Sequence, residues 1–121
     1  IYSARYAGEG ATDAQRIAKL LDAMKGKTNR KARFVCVIAI AYRGDDVALF
    51  RGEVHGTIAE APRGSNGFGY DPVFIPEGYD KTFGELPSDV KEAISHRANA
   101  IAKAVKFIRA ELDSMDDFEF V

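Results

Sequence analysis

The spacing of apolar residues changes along this chain, and the changes divide it into elements. Ile17, Leu20, Leu21 and Met24 recur at the i, i+3, i+4, i+7 spacing of one helical stripe. Thr12 and Gln15 precede that stripe at capping-box spacing, so each side chain can satisfy an amide of the first turn. Gly26 supplies a stop, flanked by Lys25 and Lys27 at the negative end of the helix dipole. Residues 27–31 read as a solvated basic linker. Residues 32–42 are β-branched and nearly all apolar, which predicts a central strand covered on both faces. Gly44-Asp45-Asp46 predicts a turn, and residues 47–54 then pair back as a hairpin. On that return strand Phe50 and Val54 share one face, and Arg51 and Glu53 the other. Shorter strands are predicted at 56–59 and 72–75, with a loop at 76–84. Leu86-Pro87-Ser88 opens a short helix. Ser95 caps a long one, whose buried face would carry Ile101, Val105, Ile108 and Leu112. Residues 113–121 read as an acidic, frayed tail. Helix, strands, glycine-rich loop, strand and two helices in that order predict an α/β domain with an antiparallel-containing sheet.

Composition narrows the class. The chain has 121 residues, of which 46% are hydrophobic and 29% charged, as in an ordinary globular domain. Its 17 basic and 18 acidic residues give a net charge of -1. No global positive field is available to hold nucleic acid. The longest apolar stretch, residues 34–41, is too short to cross a bilayer. Cys36 is the single cysteine and stands inside F-V-C-V-I-A-I. It reads as a buried, inert thiol in a reducing compartment, the cytoplasm.

The candidate chemistry lies in two stretches. Residues 63–74 read R-G-S-N-G-F-G-Y-D-P-V-F. No G-K-[ST] follows, which excludes a Walker A loop. Pro72 stands where a dinucleotide fingerprint needs its third glycine. His55 and His96 have no metal-ligand spacing and there is no C-x-x-C, which argues against zinc; His55 reads as structural or surface. Asn66-Gly67 is a hairpin-turn dipeptide. A turn does not account for Phe68 and Tyr70 on either side of Gly69, which suggest a ring wall beside exposed amides. Residues 91–97 read K-E-A-I-S-H-R. Lys91 falls on the short helix, and His96 and Arg97 in the first turn of the long one. A cation is disfavoured there by the dipole, and the same field favours neutral imidazole. One reading is a pair of solvated first-turn residues. The other is a cluster of donors for a phosphate, carboxylate or keto oxygen.

With Y-S-A-R-Y-A-G at 2–8, A-T-D at 11–13, A-R-F at 32–34, G-F-G-Y-D-P-V-F-I-P at 67–76 and K-E-A-I-S-H-R-A at 91–98, the chain resembles the inosine triphosphate pyrophosphatase family. The resemblance implies a two-lobed α/β fold with a curved mixed sheet flanked by helices and a nucleotide cleft. It implies a homodimer that hydrolyses ITP, dITP and XTP to monophosphate and pyrophosphate with Mg²⁺. Phe68 would stack on the purine. Gly69, Tyr70 and Asp71 would line the base pocket, and Lys91, His96 and Arg97 would surround the base and its 6-keto oxygen. The family's T-G-N-x-x-K-type phosphate loop, its acidic Mg²⁺ ligands and its Asp-Ser-Gly general base do not precede Ile1. Asp45, Asp46, Asp116 and Asp117 are poor substitutes, being turn or tail residues. The expectation is therefore that residues 1–121 are the C-terminal part of one pyrophosphatase domain. That part would hold base-binding residues but neither the catalytic base nor the metal ligands, and would be inactive alone. The alternative is a truncated, non-catalytic purine-nucleotide-binding or dimerisation module.

Overall fold

The computed structural model describes residues 6–113; the expectations for Tyr2 and the residues after Asp113 lie outside that range. Among the described residues there are three α-helices and three strands: α1 (Asp13–Ala23), β1 (Lys31–Tyr42), β2 (Asp46–Ile58), β3 (Phe74–Pro76), α2 (Ser88–Ile94) and α3 (His96–Asp113). The strands form one open sheet in the order β1-β2-β3. β2 and β3 pair antiparallel, with Gly56 opposite Pro76 and Ile58 opposite Phe74. The α/β class is borne out. The chain separates into two compact units, one of residues up to Arg33 together with His55–Ala93, the other of Phe34–Val54 and the residues from Ile94 onward.

The first unit is organised around α1 and the segment that follows β2. The predicted capping box is present: Gln15 N donates to Thr12 Oγ1 at 3.2 Å, and Thr12 N to Gln15 Oε1 at 2.8 Å. Ile17 is buried, and Leu20, Leu21 and Met24 are half-buried. The helix ends at Ala23, ahead of Gly26. The expected solvated linker needs correction. Arg30 is half-buried and donates to three carbonyls, Ile58 O (2.8 Å), Met24 O (3.0 Å) and Ala59 O (2.9 Å). Residues 72–75 were expected as a strand, but Asp71–Val73 is a 3-10 turn and β3 begins at Phe74. Pro72 cannot donate to a ladder, which favours the turn. The core holds Val73, Phe74, Thr82, Phe83 and Leu86, with the Phe74 and Phe83 rings stacked at 5.5 Å.

In the second unit α3 packs on the β1–β2 hairpin. Phe107 lies against Tyr42 (5.1 Å) and Phe50 (5.2 Å). Asn99 Nδ2 donates to Glu53 O at 2.6 Å, and Lys103 Nζ to Arg51 O at 2.7 Å. Two expectations fail here. β1 is not covered on both faces. It alternates exposed and half-buried, and Val37 is 55% exposed, because α3 covers one of its faces; in the sheet order β1 is an edge strand rather than the central one. Cys36 is accordingly half-buried rather than buried. The buried face of α3 is also not the Ile101 stripe. Ala100 and Ala104 are buried (0% and 6%), whereas Ile101 is 52% exposed and Val105, Ile108 and Leu112 are exposed as well. The reason is close approach. A Cβ on Gly52 would collide with the backbone of His96 and Ala100, so only small residues fit between helix and strand. The strands expected at 47–54 and 56–59 are one continuous β2.

Candidate functional site

The glycine-rich stretch is pinned at both ends before it exposes anything. Arg63 N donates to Pro72 O at 2.8 Å, and Asn66 N to Gly84 O at 2.9 Å. Asn66 Nδ2 reaches Leu86 O at 3.0 Å. Between these ties Gly67 (φ +74°) and Gly69 (φ +60°) take left-handed conformations that side-chain-bearing residues rarely adopt. They bring Phe68 out of the fold, where it is 56% exposed.

Asp71 organises the loop from beneath. It is 4% exposed. Its Oδ2 accepts Phe68 N–H at 3.0 Å and the Lys91 ammonium at 2.6 Å. A Cβ on Gly67 would collide with the same carboxylate. Lys91, on α2, also stands 4.2 Å from the centroid of the Phe68 ring, a cation–π distance. Phe68, Asp71 and Lys91 thus form one contact set. Gly69 differs from Gly67 in facing open space: a Cβ built there meets nothing within 4 Å. Its N–H donates to Asp13 Oδ2 at 3.0 Å. Tyr70 is buried, and desolvation raises its hydroxyl pKa above the ordinary 10.0. The Arg16 guanidinium opposes that rise, and Tyr6 and Asp13 add to it.

His96 and Arg97 belong to the second unit. Ser95 caps α3 as its sequence position predicts, accepting Ala98 N–H on Oγ at 3.1 Å. His96 and Arg97 therefore occupy the first turn. The His96 ring is half-buried and stacks on Phe34 with centroids 5.0 Å apart, while Arg97 is exposed. His55 is exposed on β2, and Asp45 lies in the hairpin turn.

Asp13 joins the contacts of the glycine loop although its sequence position does not single it out. Its position at the first turn of a helix is legible, but its bond to an amide 56 residues away is not. Phe34, partner of His96, was likewise read only as strand.

The sequence pattern of the Ham1 family matches residues 1–107. The dITP/XTP pyrophosphatase of Bacillus subtilis is 50% identical over 112 residues, which are 91% of this chain and 57% of that protein. A solved structure of the Staphylococcus aureus Ham1 protein superposes with a TM-score of 0.87 at 45% identity, covering 91% of this chain and 57% of the other. A HAM1 protein from Coxiella burnetii gives 0.84 at 42% identity, covering 90% and 57%. The chain spans about half the length of these relatives.

Proposed function

The chain belongs to the Ham1 family, and from that premise we propose that the protein hydrolyses non-standard purine nucleoside triphosphates, ITP, dITP and XTP, to the monophosphate and pyrophosphate. Relatives named dITP/XTP pyrophosphatase support the reading. The observation that carries it is the exposed Phe68 ring, held between two left-handed glycines with the Lys91 ammonium 4.2 Å from its centroid. A purine stacks on such a ring, and the open side of Gly69 admits it to the backbone. An ammonium carries three N–H donors, so one bond to Asp71 leaves donors for a 6-keto oxygen. Tyr70 and Asp71 form the pocket edge. His96 and Arg97 stand in the second unit, and their assignment as base-binding donors rests on the family resemblance. Adenine, with a 6-amino group, would oppose donor to donor, and mismatches of this kind discriminate by roughly 10⁴.

In this reading residues 1–121 supply base recognition within one pyrophosphatase domain. Attack of water on the α-phosphorus, and the Mg²⁺ that would neutralise phosphate charge, depend on other groups. Among the described residues no three His, Cys, Asp or Glu side chains converge to hold a metal. Asp71 and Asp13 do not fit that role, because each already accepts a backbone N–H and pairs with a cation. The reading extends to a homodimer acting in the cytoplasm. Among the described residues no helix is long and apolar enough to cross a membrane.

The test is pyrophosphate release by the full-length protein with Mg²⁺. Release from dITP and XTP should far exceed release from dATP. Equal rates would remove the base-recognition argument. Tight ITP binding without turnover would instead favour a non-catalytic purine-binding module. Sedimentation of the same protein tests the dimer.

A further inference from the structure

Two successive amides of the glycine loop donate to two different carboxylates. Phe68 N–H goes to Asp71, three residues on, and Gly69 N–H to Asp13, 56 residues back. Both distances are 3.0 Å. Phe68 N–H lies in the peptide plane shared with Gly67, and Gly69 N–H in the plane shared with Phe68, so the two acceptors orient the two peptide planes that meet at the Phe68 Cα. Those two planes set the direction of the Phe68 Cα–Cβ bond, and so where the ring is carried; Asp13 holds the second of them.

The Asp71 bond is local and moves with the loop. The Asp13 bond is anchored elsewhere. Asp13 is the first residue of α1, whose start is held by the Thr12–Gln15 capping box. Its other oxygen is bound by Arg16 Nη1 at 2.9 Å, one turn along the same helix. The carboxylate is thus oriented by a rigid element. Gly69 is the reverse case, a permissive residue at φ +60° with open space on its side-chain side. Neither steric contact nor φ preference would hold it to one conformation.

We propose that Asp13 is a positioning residue for base recognition, acting through the Gly69 amide to fix the Phe68 platform. The inference rests on Phe68 being the base platform. Asp13 need not touch the nucleotide, and its carboxylate accepts rather than donates to the loop. Its contribution should therefore appear in substrate binding more than in the chemical step.

The experiment is steady-state hydrolysis of dITP by the full-length protein carrying Asp13→Ala, Asp13→Asn or Phe68→Ala. Asparagine retains a carbonyl oxygen that can accept the Gly69 N–H. Asp13→Ala should raise KM about tenfold with kcat within about twofold, the signature of lost uniform binding. Asp13→Asn should restore KM to within about threefold of the unaltered protein. The Gly69 amide should exchange with solvent faster in Asp13→Ala than in Asp13→Asn, whichever substrate is used. An unchanged KM in Asp13→Ala, or Asn as damaging as Ala, would overturn the role given to Asp13. Phe68→Ala separates the two levels. If it raises KM while Asp13→Ala does not, the platform stands and this inference falls. If Phe68→Ala itself leaves KM unchanged, the platform reading falls and the role of Asp13 with it.

Discussion

Lys91 Nζ lies 2.6 Å from Asp71 Oδ2, and the same oxygen accepts the Phe68 amide at 3.0 Å. One buried carboxylate therefore joins α2 to the glycine loop and holds a cation over an aromatic ring. Both side chains are largely withdrawn from solvent, at 20% exposure for Lys91 and 6% for Asp71. Asp71→Ala would leave the ammonium and the amide without this acceptor. The expected loss of stability is about 3 kcal/mol, since breaking a buried pair strands its partner. The urea midpoint measures it.

Arg30 is the second residue whose removal should be costly. Its guanidinium joins the end of α1 to the end of β2 through Met24 O, Ile58 O and Ala59 O. Arg30→Ala is expected to lower stability by about 3 kcal/mol, because three carbonyls lose a charged donor at once. Arg30→Lys should recover only part of it, as an ammonium cannot reproduce the planar fork. Chemical denaturation of both variants checks the order.

Two glycines should respond to alanine to very different degrees. Gly52→Ala drives a methyl into the backbone of α3 at His96 and Ala100. The helix must shift, at a cost of about 3 kcal/mol. Gly69→Ala meets nothing within 4 Å and carries only the strain of φ +60°, about 1 kcal/mol. Thermal melts of the two variants should rank Gly52→Ala well below Gly69→Ala.

Tyr70 makes alkaline stability testable. Burial raises its hydroxyl pKa above 10.0. Above pH 10 the unfolded chain releases a proton that the folded chain retains. Stability is then lost as pH rises past 10, while below that pH the contribution is fully present. Tyr70→Phe should fall less steeply in Tm between neutral pH and pH 11 than the unaltered protein. Parallel slopes would show that Tyr70 is not desolvated in the fold.

Elements set by neighbours in sequence were legible. The Thr12–Gln15 box, the turn at Gly44 and the Ser95 cap each need partners only a few residues away, and all three are present. The glycine stretch was legible as a candidate site for a related reason. Few local structures require two glycines around a phenylalanine. The partners of that stretch were less legible. Spacing alone could not connect Gly69 to Asp13, or Arg30 to Ile58, because nothing within either segment encodes the other.

The sequence by itself determined where the helices and the β1–β2 hairpin lie, which loop is exceptional, and, through its motifs, the family resemblance. Hydrogen-bond geometry repeats over three or four residues in a helix and alternates over two in a strand, so those periods are written locally. Only the tertiary structure decided which face of α3 is buried. Ile101, Val105, Ile108 and Leu112 form the more apolar stripe, yet Ala100 and Ala104 face the strand. The backbone of α3 approaches Gly52 too closely for anything larger, and how near two backbones come is a property of the packed chain.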